Sequence, residues 1–289
     1  MTRIELQVDL RYEIGADGAD FIFNIHAAHT ACQTVSAERL TLSQAVFPKI
    51  HTDPTTGTRY MRLRALPGEL KVSYTARMDV AHYFAQPDQL AEVPVAYLPF
   101  EVLRYLHPSR YCQSDQFTQL AMQEFGSLPM GYGRVQAIMK WVQQQVKFTS
   151  NTSNSNTSAV ETLQSRTGVC RDFAHLMIAM CRALNIPARF TTGTDYGADP
   201  VLGPPDFHAY VEVYVGGRWF IFDASGTSIP MGFIRLGTGR DAADVAFATM
   251  YGPVLAHPPI IQTEAIQGTR GLLELPRHRP EAVSTDMGP

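Results

Sequence analysis

The most informative stretch of this sequence lies at residues 167–187, which read TGVCRDFAHLMIAMCRALNIP. Nearly every residue between Val169 and Leu184 is apolar, and the polar exceptions share one narrow stripe at helical spacing. A helix with so small a polar face is mostly buried, and Asn185-Ile-Pro187 predicts where it ends. The sequence therefore predicts a buried helix with Cys170 at its N-terminus.

A glycine pair further along the chain predicts a β-hairpin. Two β-rich runs flank Gly216-Gly217, which is typical of a two-residue turn with Val215 opposite Arg218. Counting outward from that turn places His208 and Asp223 on one face as diagonal neighbours, about 7–8 Å apart between backbone positions. A shift of one residue would send them to opposite faces. The other face is apolar and is expected to face the core: Ala209, Val211, Val213, Val215, Phe220 and Phe222.

These two predictions together indicate nucleophilic chemistry. A helix N-terminus favours the anionic form of a cysteine, because free N–H groups and the helix dipole stabilise a thiolate there. Such a nucleophile needs a general base, and the base needs a group that orients it. We expect Cys170 to be the nucleophile, His208 the base and Asp223 the orienting carboxylate. Asp206 is a rival for the last role, but the register favours Asp223.

The same residues resemble the transglutaminase-like superfamily, above all its bacterial members, which are described as candidate cysteine proteases. The resemblance covers roughly residues 110–230 and is carried by four segments: residues 167–176, 184–190, 207–214 and 219–223. It implies a papain-like core, in which a helix bearing the cysteine packs on an antiparallel sheet bearing the histidine and the aspartate. It also implies the triad roles of Cys170, His208 and Asp223. Ala224-Ser225 stand where relatives often have Pro-Thr, which is expected to alter the adjoining loop.

The whole chain is predicted to be an α+β protein with an N-terminal β-rich, sandwich-like domain. We expect this domain over residues 1–105, the transglutaminase-like catalytic core over 106–265 and a weakly ordered tail over 266–289. Alternation and apolar runs predict strands at Ile4–Leu10, Phe21–Ile25, Arg59–Leu66 and Leu70–Met78. Helical spacing predicts helices at 114–125 and 135–146, followed by a polar loop at 149–158.

Composition excludes several classes of protein. The chain has 289 residues, of which 45% are hydrophobic, so it can bury a core, and its net charge of −3 argues against a nucleic-acid partner. Eighteen apolar residues never occur in succession, so no membrane association is expected. The four cysteines form no C-x-x-C pair and no export signal precedes them, so we expect free thiols and a cytoplasmic protein. No nucleotide-binding or calcium-binding loop is present, and no cofactor is predicted.

Other polar residues have simpler interpretations. His26, His29 and Cys32 are spaced like metal ligands, but a fourth ligand is missing, so no metal site is predicted. His175 is expected to be a surface or hydrogen-bonded histidine. An oxyanion hole needs two donors; the backbone N–H of Cys170 is one candidate, and the side chain of Gln164 is the other. Trp141 lies on an apolar helical stripe and is expected to pack in the core.

The predicted function is a cysteine-dependent amide or peptide hydrolase that acts through a thioester, with a peptide or protein as its substrate. Transamidation to an amine acceptor would use the same residues, so the sequence leaves that alternative open. A catalytically silent binding or scaffold protein is the remaining alternative. The oligomeric state is left open.

Overall fold

Strands dominate the N-terminal third of the protein. The structure is a computed structural model that describes residues 1–197, 206–268 and 271–286. The first strands are β1 (Thr2–Ile14), β2 (Ala19–Phe23), β3 (Gln33–Leu42), β4 (Lys49–Thr52), β5 (Arg59–Ala65), β6 (Gly68–Val80) and β7 (Tyr83–Ala85). They confirm the four strands predicted there.

The rest of the chain contains both helices and strands. The helices are α1 (Phe100–Leu103), α2 (Thr118–Phe125), α3 (Tyr132–Gln145), α4 (Ala159–Ser165), α5 (Cys170–Ala183) and α6 (Ala242–Val245). The further strands are β8 (Lys147–Phe148), β9 (Thr167–Gly168), β10 (Ala188–Thr194), β11 (His208–Val215), β12 (Arg218–Phe222), β13 (Ile234–Gly239), β14 (Ala248–Tyr251), β15 (Val254–Ala256), β16 (Ile260–Ile266) and β17 (Ala282–Ser284). None of the helices in the described ranges has the length and apolar character to cross a bilayer.

Two antiparallel sheets form the N-terminal sandwich. One has the strand order β15-β1-β6-β3 with β16 also paired to β1, and the other has the order β14-β2-β5-β4. Side chains along β1 alternate between buried and more exposed, as expected for a strand with one face against a core. The inward faces of both sheets meet in one apolar cluster that contains Leu6 and Val8 from β1, Phe21 and Phe23 from β2, and Met61 from β5.

The second half of the fold is a helix packed on an antiparallel sheet. The sheet has the order β12-β11-β10-β13, and α5 packs against it with α2, α3 and α4 around it. The hairpin between β11 and β12 has the predicted register, with Val215 opposite Arg218. Gly216 and Gly217 both have positive φ values, 59° and 79°, as this tight turn requires. The α+β fold class is therefore confirmed, including the helix that bears the cysteine.

Helix α5 is buried along almost its whole length, as predicted. Its polar residues are accommodated by specific contacts, because burying an unpaired polar group is costly. The guanidinium of Arg182, which is 2% exposed, donates hydrogen bonds to the carbonyl oxygens of Ala188, His107 and Arg240. The helix ends just before Asn185, whose φ of 60° lies in the left-handed region.

The structure differs from the predicted boundary at residue 265. Strands β14, β15 and β16 lie within the range predicted for the catalytic core, yet they pair with β1 and β2 of the N-terminal sandwich. Ile261 of β16 is buried in the sandwich cluster. The reason is that β1 and β2 offer open strand edges that these later strands complete.

The C-terminal segment is more ordered than predicted. Strand β17 pairs with β7, and its three residues are buried. The carboxylate of Asp286 forms an ion pair with Arg189, in which Oδ2 and Nη2 are 3.0 Å apart. A weakly ordered tail was therefore the wrong expectation for residues 282–286, because they cover apolar and charged groups of the core that would otherwise face solvent.

Candidate active site

Cys170 is the first residue of helix α5 and is half-buried. The preceding residue, Val169, donates its N–H to the carboxylate of Asp172 at 2.9 Å, which satisfies one donor at this helix end. The first turn still presents N–H groups that have no acceptor within the helix. The Sγ atom lies 4.0 Å from the carbonyl oxygen of Phe207, the residue just before His208. The local structure thus places the sulfur at a helix N-terminus and against the start of β11.

His208 is the first residue of β11, and its ring lies between two carboxylates. Nε2 is 3.1 Å from Oδ1 of Asp223, and Nδ1 is 3.5 Å from Oδ2 of Asp195. The ring stacks on Phe233 with centroids 5.1 Å apart. Burial lowers the pKa of His208, but the charge and hydrogen bond of Asp223 and the contact with Cys170 outweigh it, so the pKa lies well above its usual value. This environment favours an imidazolium beside the sulfur.

Asp223 directly follows β12 and is held by several donors. Its Oδ1 accepts hydrogen bonds from the N–H and the hydroxyl of Ser225, at 3.2 and 2.7 Å. Its Oδ2 accepts the N–H of Ser228 at 2.9 Å. Burial raises the pKa of Asp223, but the imidazole of His208 and these hydrogen bonds lower it below its ordinary value. The carboxylate is therefore ionised and fixed in orientation.

Asp195 is a residue of this site that the sequence reasoning missed. It follows β10 and is 6% exposed, and its carboxylate accepts a hydrogen bond from the hydroxyl of Ser228. In the pairing of β10 with β11, Gly193 stands opposite His208. Asp195 is two residues further along and so lies on the same face. The alternation was visible in the sequence, but the pairing of these two strands was not.

Neither Gln164, the predicted oxyanion donor, nor Asp206, the rival that the register disfavoured, hydrogen-bonds to His208. Gln164 lies in α4, is exposed, and is not among the residues that line the cleft around Cys170. Helix α4 packs on α5 through its buried face, so its exposed face points away from α5. Asp206 is exposed, and its carboxylate accepts the N–H of Phe207 at 2.7 Å, whereas Asp223 holds the imidazole.

His175, His26 and Trp141 pack against other side chains of the fold. His175 is buried between the rings of Tyr111 and Phe190, each 5.0 Å away, and burial lowers its pKa well below the usual value. Trp141 packs edge-on against Phe125 at 6.0 Å. The ring of His26 packs at a tilt of 57° against that of Tyr74 in the sandwich, with centroids 4.7 Å apart, and no group of three metal-ligating side chains occurs among the residues described.

The cluster opens into a cleft of about 990 Å³ that both halves of the fold line. Cys170 and His208 lie in its wall beside the polar loop that precedes α4. The sandwich contributes Ile22 and Tyr60, and Phe247 stacks on Phe207 with centroids 4.3 Å apart. The sulfur and the imidazole are therefore accessible from a space large enough for several residues of an extended peptide.

A thiol at a helix N-terminus and an imidazole held by a carboxylate on an antiparallel sheet define a papain-like arrangement. Residues 119–224 match the family model of the transglutaminase-like superfamily, and residues 2–101 match that of the bacterial transglutaminase N-terminal domain. The chain is 36% identical to a candidate cysteine protease from Cytophaga hutchinsonii, whose crystal structure superposes with a TM-score of 0.89 over 98% of this chain and 97% of the other. The chain therefore belongs to the transglutaminase-like superfamily.

Similarity to mycobacterial proteins covers a smaller region. An uncharacterized protein of Mycobacterium leprae is 31% identical over 116 residues, which are 39% of this chain and 42% of that protein. An uncharacterized protein of Mycobacterium tuberculosis (strain H37Rv) is 35% identical over 109 residues, which are 34% of this chain and 35% of that protein. The chain thus matches less than half the length of these curated relatives.

Proposed function

We propose that this protein is a thiol-dependent amide hydrolase, with a peptide or protein as its substrate. Cys170 is the nucleophile, His208 the acid and base, and Asp223 the group that orients the imidazole. The observation that carries the proposal is the bond between His208 Nε2 and Asp223 Oδ1, at 3.1 Å, beside a sulfur that begins a buried helix. The similarity to the candidate cysteine protease of Cytophaga hutchinsonii supports the same class of activity.

In the acylation step, the thiolate of Cys170 attacks the carbonyl carbon of the substrate amide and forms an S–C bond. The charge that develops on the carbonyl oxygen is stabilised by the N–H of Cys170 at the start of α5. The imidazolium of His208 transfers its proton to the amide nitrogen, the C–N bond breaks, and the amine leaves. A thioester on Cys170 remains.

In the deacylation step, His208 removes a proton from water, and the resulting hydroxide attacks the thioester carbonyl. The carboxylic acid leaves, and Cys170 regains its thiolate form. Asp223 stays ionised throughout, because it is held by His208 and by the donors of the adjoining serine residues. A second amine could replace water at this step and would then give transamidation. We favour water because it is always available in a cleft that is open to solvent.

The test compares wild type with Cys170→Ala and Cys170→Ser on a broad panel of peptides and simple amides. We expect turnover by wild type and none by either variant. Turnover that survives in Cys170→Ala would remove the thiol mechanism. A glutaminyl peptide offered with a fluorescent primary amine decides between the two outcomes of the thioester, since amine incorporation in preference to free acid would establish a transamidase.

Alkylation separates an enzyme from a silent scaffold. Cys32, Cys112 and Cys181 are buried, so iodoacetamide added to the folded protein should label Cys170 alone, as mass spectrometry can verify. We expect this labelling near neutral pH to be faster than that of free cysteine. A rate no faster than that of free cysteine would favour the scaffold. We predict that the protein is cytoplasmic, because its four cysteines are free thiols, as is usual in a reducing compartment.

A further inference from the structure

Two arginine side chains lie over a single tyrosine ring in the cleft that holds Cys170. The guanidinium carbon of Arg110 is 4.9 Å from the centroid of Tyr111, and that of Arg171 is 5.6 Å from it. All three residues line the cleft, and Arg171 directly follows the cysteine in α5. Neither arginine takes part in the proposed acylation or deacylation.

Tyr111 is a rigid platform for these two groups. Its hydroxyl donates a hydrogen bond to the carbonyl oxygen of Ser155 at 2.6 Å, and its N–H donates to Asp241 at 2.9 Å. Its ring stacks almost parallel on His175, with an interplanar angle of 14°. Because Tyr111 is held from several sides, the ring that both guanidinium groups contact has a defined position in the cleft.

The charge of Arg171 is compensated by its neighbours, whereas that of Arg110 is not. Arg171 donates to the hydroxyl of Ser153 at 2.6 Å and to the carbonyl oxygen of Asn154, and it is ion-paired with Asp172 at 3.3 Å. Arg110 is exposed and makes no hydrogen bond or ion pair within residues 1–197, 206–268 and 271–286. Two like charges on one ring repel each other, and an anion between them relieves that repulsion.

Three carboxylates line the cleft, those of Asp195, Asp206 and Asp244, and Asp244 is already paired with Arg240 at 3.0 Å. Asp195 is within 3.5 Å of the imidazole of His208, and Asp206 is two residues before it in the chain. An anionic group of a bound substrate would be repelled there and attracted to the side of Tyr111. The guanidinium fork matches the geometry of a carboxylate, which is the anion that peptides carry.

We infer that Arg110 and Arg171 form a carboxylate subsite, which selects amide substrates bearing a carboxylate near the bond that Cys170 attacks. The inference rests on the proposed function. Such a carboxylate has two sources in peptides, an acidic side chain and a C-terminal carboxylate. Both have the same chemistry, so the experiment has to distinguish them.

The first experiment compares two alkylating reagents that differ in charge. Iodoacetate and iodoacetamide both form a thioether with Cys170 and release iodide, but only iodoacetate is an anion. In Arg110→Gln we expect the iodoacetate rate, divided by the iodoacetamide rate, to fall about three- to tenfold, which corresponds to ~0.7–1.4 kcal/mol. Arg110→Lys keeps the charge and should retain most of the ratio.

Arg104→Gln is the matched control for this experiment. Arg104 is also exposed and also lies over a tyrosine ring, at 5.4 Å from the centroid of Tyr105, but it does not line the cleft. Its replacement should leave the ratio of rates unchanged. Because Arg110 is exposed, 0.5 M salt should also shrink the difference between wild type and Arg110→Gln, as screening predicts.

The second experiment measures kcat/KM for matched peptides. One pair differs by Glu against Gln at an internal position, scanned along an alanine peptide, and the other differs by a C-terminal carboxylate against a carboxamide. If wild type prefers Glu and Arg110→Gln does not, the carboxylate that the subsite binds is an acidic side chain. A preference for the free C-terminus that is lost in the same variant would assign the chain end.

Failure of the inference and failure of the proposed function give different results. A ratio of alkylation rates that is the same in wild type and Arg110→Gln, while iodoacetamide reacts rapidly with both, would overturn the carboxylate subsite alone. A wild-type thiol that reacts no faster than free cysteine would instead remove the proposed function, and the subsite with it. If Arg110→Gln fails to fold, the ratio of the iodoacetate rate to the iodoacetamide rate is measured in Arg110→Glu, which reverses the charge. A ratio equal to that of wild type would then overturn the subsite.

Discussion

Replacing Asp223 by asparagine removes a negative charge from His208 and keeps a side chain of nearly the same shape. In the structure this carboxylate is 3.1 Å from Nε2, and it is the main group that raises the pKa of His208 against the effect of burial. A hydrogen bond to a charged group contributes about 1.5–3 kcal/mol, against about 0.5–1.5 kcal/mol for a neutral pair. The difference of about 1–2 kcal/mol corresponds to a fall of roughly one unit in the pKa of His208.

The direct measurement is an NMR titration of His208 in protein labelled with ¹³C-histidine. Wild type and Asp223→Asn should titrate about one pH unit apart, with the variant lower. Because a less basic imidazole stabilises the thiolate less, alkylation of Cys170 at neutral pH should slow by about tenfold. A thermal melt checks that the variant remains folded, since the carboxylate also accepts bonds from Ser225 and Ser228.

Asp206→Asn is the matched control, because Asp206 is an aspartate close to His208 in the chain that makes no hydrogen bond to its ring. It should leave the titration of His208 within a few tenths of a unit of wild type. If Asp223→Asn and wild type titrate together, or if Asp206→Asn produces the larger change, Asp223 does not orient the imidazole and the reasoning is refuted.

Three further predictions concern stability. Arg182→Met leaves buried carbonyl oxygens without their donor and should lower the free energy of unfolding by about 3–5 kcal/mol in urea denaturation; a loss below about 1 kcal/mol would contradict this account. Gly216→Ala forces a side chain into a left-handed position with its Cβ 2.7 Å from Leu90, so its Tm should fall by an amount equivalent to about 1–3 kcal/mol, whereas Gly133→Ala in α3 meets open space and should be neutral or stabilising. Burial lowers the pKa of His26 to about 4, so the unfolded chain binds a proton more readily between pH 6.5 and 4. Acid should therefore destabilise wild type by about 3 kcal/mol through this residue, and equal losses in His26→Gln and wild type between pH 7 and pH 4 would refute it.

Local pattern was sufficient for the elements that carry the site. Helix α5 was predictable because its residues are apolar on nearly all sides, and a glycine pair revealed the register of β11 with β12. His208 and Asp223 are only fifteen residues apart along one hairpin, so their contact depends on a turn and on the alternation of side chains.

Contacts between distant segments were not predictable in this way. Asp195 reaches His208 only because β10 pairs with β11, and the connection between these strands is much longer than a two-residue turn, so no local signal sets their register. The orientation of Gln164 depends on how α4 packs, which its own sequence does not specify. The sequence of β16 is typical of a strand, but it contains no signal that specifies pairing with β1.

The sequence by itself determined the buried helix that Cys170 begins, four strands of the sandwich, and the face that His208 and Asp223 share. Those properties follow from side-chain periodicity and turn chemistry, which act between near neighbours in the chain. Only the tertiary structure decided that residues 248–266 complete the N-terminal sandwich, that Asp195 joins the imidazole, and that Arg110 and Arg171 meet on one ring. Such contacts are selected by the packing of whole surfaces and by the pairing of open strand edges, so they depend on every segment at once.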